Sequence, residues 1–334
     1  MIKMTKYTPE RLKELQALPL ERKVGFTVAR IAEWYTHYEG NVYVSFSGGK
    51  DSTVLLHIAR TLYPDIKAVY ADTGLEYPEI KAFVKTFDNV DIVRPKKSFK
   101  QVLEEYGYPV ISKEVAQRIA GARNGSECYK CKLGLIDSYK GKPNPYENSM
   151  FNYKKWQFLY DAPFKISPRC CDVIKKEPLK RYEREHNKSK SIVAVMATES
   201  LLRRTDWIRH GCNAFDAKRP QSKPMSFWTE QDVLQYIKLK NIPLCSVYGD
   251  IIETNDSKNR PKLVCTGYQR TGCMFCMFGV HCEKSPNRFQ KMKQTHPQLW
   301  DYCINKLNLK QVLDYINVPY EPEPTLFDET EIKL

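Results

Sequence analysis

The chain is expected to be α/β, an open, mostly parallel, twisted sheet with helices on both faces, followed by a C-terminal helical region that carries cysteines. Three observations predict this class. Short apolar strands alternate with amphipathic helical stretches from residue 41 onward, and such alternation implies parallel pairing through right-handed crossovers. A glycine turn, Ser47-Gly48-Gly49, joins the first of those strands to the first of those helices. Residues 285–317 read as two or three further helices.

Residues 1–40 read as a helical lead-in. Thr8 stands as a cap before Pro9 and Glu10, and Val24, Val28, Ile31, Ala32 and Tyr35 recur at helical spacing. Residues 41–46 form an apolar strand, and after the glycines a helix opens at Asp51 and runs through Val54, Leu55, Leu56 and Ile58. There follow a strand at 67–70, the turn Asp72-Thr73-Gly74, a helix from Pro78, a strand at 90–93 and a helix over 98–106. Residues 121–170 are irregular, with Gly121, Gly125, Gly134, Gly141, Pro143 and Pro145, and read as an insertion or a substrate-facing loop. A strand is expected at 191–196, and Thr229-Glu230-Gln231-Asp232 caps a helix over 229–239. The domain reading is a nucleotide-binding unit over 41–250, a cysteine-containing helical region over 251–320 packed on it, and an acidic, mobile tail over 321–334.

The chain has 334 residues, and its 42% hydrophobic content is enough for a sizeable core. No run approaches the roughly 18 uncharged apolar residues that a membrane span needs, and the first residues lack the apolar core of a signal peptide. The expectation is a cytoplasmic protein with no membrane partner. Lys and Arg number 53 against 39 Asp and Glu, a formal charge of +14. Such a balance suits nucleotides or nucleic acid, although a solvated lysine-rich surface gives the same sum. Basic and aromatic residues interleave at Tyr139-Lys140, Tyr153-Lys154-Lys155-Trp156 and Lys180-Arg181-Tyr182, a mix that suits phosphates and stacked bases and equally suits snorkelling surface side chains.

The segment Ser47-Gly48-Gly49-Lys50-Asp51-Ser52 is an anion site by its chemistry. Adjacent glycines permit close backbone approach, the first N–H groups of the helix have no intrahelical acceptor, and the helix dipole favours negative charge. Lys50 adds a cation, and Ser47 and Ser52 add hydroxyls. The hexapeptide resembles the pyrophosphate-loop signature of the adenine nucleotide α-hydrolase group, which includes ATP pyrophosphatases and the phosphoadenosine and adenosine phosphosulfate reductases. That resemblance implies an adenine nucleotide-α-hydrolase-like fold and a nucleotide on loop 47–52, either ATP with Mg²⁺ or an adenylyl sulfate. It implies an adenosine-holding role for Asp72, Thr73 and Gly74, and a phosphate- or sulfate-binding role for Arg203 and Arg204.

Eleven cysteines in a chain without an export signal point to metal sites or nucleophiles rather than to a disulfide framework. Cys170-Cys171 and Cys273-Met274-Phe275-Cys276 offer four thiolates, which suit tetrahedral zinc or a cubane iron-sulfur cluster. Adjacent cysteines are awkward for a zinc knuckle but can reach two irons of one cluster. The two segments also resemble the Cys-Cys and Cys-x-x-Cys segments that bind a [4Fe-4S] cluster in adenosine phosphosulfate reductases. Residues 223–233 and 242–248 continue the likeness, which spans about residues 40 to 280. Cys128-Tyr129-Lys130-Cys131 is a second C-x-x-C, read as a metal clip, a redox pair or two loop thiols.

The family's reductases carry a nucleophilic cysteine near the C-terminus in a Glu-Cys-Gly setting, which this sequence lacks; Cys282 meets the demands on such a thiol better than Cys303. The resemblance therefore leans toward the DNA phosphorothioation-type members. Its implied function is ATP cleavage between the α and β phosphates, with Lys50 and Asp51 catalytic, for nucleic-acid thiolation. The alternatives are thiol-dependent reduction of adenylyl sulfate to sulfite and a non-catalytic nucleotide or nucleic-acid binding module. The expected partners are the adenine nucleotide, DNA or RNA, a sulfur-donor or electron-donor protein and, as a homodimer, a second copy of the chain.

Overall fold

A computed structural model describes residues 7–187 and 190–322. The chain divides into two compact units, one of residues 1–72, 76–95 and 176–271, the other of 73–75, 96–175 and 272–334. The structure thus draws its boundaries elsewhere than the expected 41–250 and 251–320. Residues 251–271 belong with the first unit and form an antiparallel hairpin, Ile251–Asn255 with Pro261–Cys265, where helix was expected. The acidic tail lies, from residue 323, outside the described residues.

The first unit is built on a six-stranded sheet in the order Val90–Val93, Ala68–Ala71, Val42–Ser45, Lys190–Ile192, Gln221–Ser222, Asn213–Ala214. Its pairings are parallel except for the last, which is antiparallel. The expected class is therefore observed. Alternation along the central strand explains why helices lie on both faces. Tyr43 packs with Val69 and with Tyr182 of helix Glu177–Glu185, while Val42 and Val44 point the other way and are equally buried.

The lead-in is helical, as Pro9–Gln16 and Leu20–His37. It is fixed to the rest of the unit by a buried ion pair, Lys23 Nζ to Asp232 Oδ2 at 2.7 Å. Asp232 also closes the capping box of helix Glu230–Lys240, accepting from the Thr229 amide at 2.6 Å. The strand expected at 191–196 is observed as Lys190–Ile192. Its outer neighbour, Gln221–Ser222, offers only two residues to pair with, and a single register pair, Ile192 with Ser222, is made.

The second unit is mainly helical, with Phe99–Tyr106, Lys113–Arg123 and Glu127–Lys132 from its first part and Arg288–Thr295, Pro297–Asp301 and Leu309–Tyr315 from its last. A short parallel pair, Val110–Ile111 with Met277–Phe278, joins the two parts. Among the described residues no helix is long and apolar enough to cross a membrane.

Candidate functional site

In the first unit, strands Val42–Ser45 and Ala68–Ala71 are parallel neighbours, so the loops that follow them leave the same end of the sheet. Ligands gather at that end in folds of this kind. After Val42–Ser45 the chain turns at Gly48, which has φ +70, and a Cβ there would fall 2.8 Å from Val84 Cγ2 and 2.9 Å from Ile80 Cγ2. Only glycine fits. Gly49 is the N-cap of helix Lys50–Leu62, one residue earlier than expected. The hydroxyls brace the turn: Ser52 Oγ donates to the Gly49 carbonyl at 2.9 Å and lies 3.0 Å from Ser47 Oγ.

Lys50 is buried, and its ammonium is not turned to open solvent. It pairs with Glu230 at 3.0 Å and donates to the Gln269 carbonyl. The Lys50 amide donates to the Tyr248 hydroxyl at 3.2 Å, and that hydroxyl lies 2.7 Å from Thr271 Oγ1. Burial pushes the Tyr248 phenol up to about 12, so the oxygen stays protonated. Asp51 is the exception among these partnered groups. Its Oδ1 is buried with no hydrogen-bond partner among the described residues. Burial raises its carboxyl above the ordinary range, against the pull of Lys50, Arg270 and Arg203.

Arg203 is close enough to Asp51 for each charge to act on the other. It also pairs with Glu199, which takes Arg270 at 3.2 Å on its other oxygen. Arg204 goes elsewhere. Both arginines lie on helix Leu201–His210, where consecutive side chains diverge by about 100°, and Arg204 lines a surface hollow with Leu12 and Lys13. Asp72 is held by two cations, Lys81 at 2.8 Å and Arg94 at 3.1 Å. Thr73 and Gly74 open the other unit, where Thr73 Oγ1 accepts from the Leu75 amide at 3.3 Å.

Five contributors to the loop's surroundings were not singled out from sequence: Glu199, Glu230, Tyr248, Gln269 and Arg270. Tyr248 sat in the stretch resembling the family, but nothing in local periodicity connects it with a residue 198 positions earlier.

The second unit holds all four candidate metal-binding cysteines. Cys170 is buried, and its thiol is raised by burial first and then by Cys171, Cys273 and Cys276, each within electrostatic reach of it. Among the described residues no three His, Cys, Asp or Glu side chains are gathered tightly enough to hold a single metal ion. Two local devices set this arrangement. A π-helical turn, Asp172–Lys176, follows the cysteine pair and carries the chain into helix Glu177–Glu185, whose early Pro178 lacks the amide that an α-helical ladder needs. The later pair is anchored on both sides: the Met274 amide donates to the Leu75 carbonyl at 2.8 Å, and Arg288 donates to the Cys276 carbonyl at 2.9 Å. Burial raises the Cys276 thiol while Arg288 pulls it back. Cys303 is fully buried and its thiol is raised. Cys282 is exposed, with its sulfur 3.2 Å from His281 Nε2.

Residues 41–120 and 126–278 match the family described as the phosphoadenosine phosphosulfate reductase domain. The chain is 22% identical over 299 residues to an uncharacterized protein of Methanocaldococcus jannaschii, covering 86% of this chain and 53% of that protein. It thus spans about half the length of that relative. It is 23% identical over 252 residues to an adenosine 5'-phosphosulfate reductase of Staphylococcus epidermidis, covering 74% of each. The phosphate complex of phosphoadenylyl-sulfate reductase from Candida auris aligns with a TM-score of 0.37 and 12% identity over 72% of this chain and 91% of that one.

Proposed function

The chain belongs to the phosphoadenosine phosphosulfate reductase family, and from that premise we propose that it binds an adenine nucleotide on loop 47–52 and uses it in sulfur transfer. In its finer form the nucleotide is ATP. An acceptor oxygen on DNA or RNA attacks the α-phosphorus, pyrophosphate leaves, and a sulfur nucleophile then displaces AMP from the adenylated acceptor. The observation that carries this reading is Asp51: a buried carboxylate with one oxygen that has no hydrogen-bond partner among the described residues, at the start of the loop helix, within electrostatic reach of Arg203 and Arg270.

Such an oxygen suits Mg²⁺, which takes one or two carboxylates and completes its shell with phosphate oxygens and water. When bound, the ion would neutralise phosphate charge. The chain's own groups supply the rest. Amides of the loop and the helix N-terminus meet phosphate oxygens. Lys50, now held by Glu230, exchanges that carboxylate for the departing pyrophosphate and steadies its growing charge. Arg203 and Arg270 offer planar forks to the outer phosphate.

The thiols of Cys170, Cys171, Cys273 and Cys276 would be the ligands of a [4Fe-4S] cluster, a reading supported by the donor set and by the electrostatic reach of the other three to Cys170. Bound there, a cluster would staple the two cysteine segments and supply a one-electron centre. A sulfur-donor or electron-donor protein, the +14 charge acting on nucleic acid, and a homodimer complete the proposal.

Reduction of adenylyl sulfate by a thiol is the second reading. It is favoured by Cys282, an exposed sulfur beside an imidazole, the geometry of an activated nucleophile. One experiment separates the two. Anaerobically purified protein is incubated with ATP and Mg²⁺, and separately with adenylyl sulfate, while pyrophosphate and sulfite are measured. Pyrophosphate that disappears in Asp51→Asn supports adenylation. Sulfite without pyrophosphate replaces it with the reductase.

A further inference from the structure

Cys128 and Cys131 are absorbed by neither reading. They lie in the second unit on one helical turn, Glu127–Lys132, capped by Ser126, whose hydroxyl accepts from the Tyr129 amide at 3.4 Å. Residues three apart in a helix share a face, with their Cα atoms about 5 Å apart, inside the roughly 4.4–6.8 Å that a disulfide spans.

The two thiols differ in access. Cys128 is half-buried at the surface, with its sulfur 3.4 Å from the Tyr146 hydroxyl. Cys131 is 1% exposed, and its thiol is raised by burial and then by the nearby Cys128 sulfur. A more exposed first cysteine and a sheltered second one are the arrangement that thiol-disulfide exchange requires, because one thiol must meet the outside disulfide and the other must resolve the adduct.

The turn is also held still. Tyr129, between the cysteines, packs so closely on helix Lys113–Arg123 that a Cβ at Gly121 would fall 2.1 Å from its ring. Arg118 lies over the same ring at 5.0 Å, and Asn144 donates to the Cys131 carbonyl at 2.9 Å. The sulfurs can therefore meet by side-chain rotation on a backbone that stays in place.

We propose that Cys128 and Cys131 form a dithiol site that exchanges with low-molecular-weight disulfides. The Cys128 thiolate, its proton lost to solvent, attacks one sulfur of R–S–S–R, forming a mixed disulfide and releasing RS⁻, which takes up a proton. Cys131 then loses its proton and attacks the Cys128 sulfur, closing the internal disulfide and expelling the second RS⁻. Two protein thiols are oxidised and one outside disulfide is reduced to two thiols. Run backward, the same steps let a small thiol reload the pair. The site stands independently of the nucleotide chemistry and of any cluster.

The test incubates the whole, anaerobically purified chain with increasing glutathione disulfide, quenches with an alkylating agent and maps adducts by peptide mass. The expected result is loss of both alkylation sites at Cys128 and Cys131 together, restored by excess reduced glutathione. Cys131→Ser is expected to stop at one glutathione adduct on Cys128, and Cys128→Ser to leave residue 131 unglutathionylated. Full alkylation of both thiols in the wild-type chain at saturating glutathione disulfide overturns the proposal, as does an adduct that forms first on Cys131. The wild-type arm decides alone if either serine variant fails to fold.

Discussion

The hydroxyl of Tyr248 accepts a hydrogen bond at 3.2 Å from the backbone amide of Lys50, across 198 residues of sequence. This contact occupies one of the first helical N–H groups, the groups that an anion would otherwise meet. With Thr271 at 2.7 Å, the same oxygen ties the loop to the segment that ends the first unit. Tyr248→Phe removes both bonds while keeping the ring. A loss of about 1–2 kcal/mol is expected, read as a lower urea midpoint at unchanged slope.

Gly48→Ala meets two obstacles at once, a left-handed backbone and a Cβ 2.8 Å from Val84. The expected cost is about 1–3 kcal/mol, with nucleotide affinity falling more than stability because the loop must shift. Calorimetric titration beside a thermal melt measures both, and unchanged affinity would contradict the placement of phosphate on this loop.

Asp51→Asn is expected to make the protein more stable and less active. Burial holds the Asp51 carboxyl above its ordinary value, so the folded chain binds that proton more tightly than the unfolded chain does. Its contribution is present below the ordinary carboxylate range and is lost as pH rises through the raised value. At neutral pH the charge is a cost that Asn removes. Melting temperatures across acid to neutral pH should show the wild type falling relative to the variant over that window, while pyrophosphate release from ATP disappears.

Asp232→Ala strands the Lys23 ammonium in the core and opens the cap of helix Glu230–Lys240. Removing one partner of such a buried pair costs about 3–5 kcal/mol. Denaturant titration checks it, and a loss under 1 kcal/mol would mean that water reaches Lys23.

Iron and acid-labile sulfide in anaerobically purified protein are expected to be lost from Cys170→Ser and Cys276→Ser and retained in Cys303→Ser. Cys303 is fully buried in the π-helical turn Tyr302–Lys306. Retention of a full metal complement in the first two variants would remove the cluster from the proposal.

Much of this molecule is written in local pattern. Alternating apolar strands, the caps at Thr8 and Thr229, and the glycines at 48 and 49 each act within a few residues, so the helical lead-in, the first three parallel strands, the helix Glu230–Lys240 and the loop could be read directly. The hairpin at residues 251–265 was not legible, because its first strand is largely exposed, its second largely half-buried, and neither carries a clear apolar alternation. Nor did the two neighbouring arginines reveal which of them faces the loop. Helix geometry sends Arg203 toward Asp51 and Arg204 toward Leu12, and that choice depends on how the helix is rotated against its neighbours.

Residue order alone prescribes the α/β class and the glycine loop, and supplies two cysteine pairs with the chemistry of metal ligands. Packing of distant segments puts Glu230 on Lys50 and Tyr248 on its amide, and leaves Asp51 an oxygen with no hydrogen-bond partner among the described residues. The reason is range: periodicity and capping act over one or two turns of chain, whereas the charge and hydrogen bonding around a buried group are set by whichever distant segments pack against it.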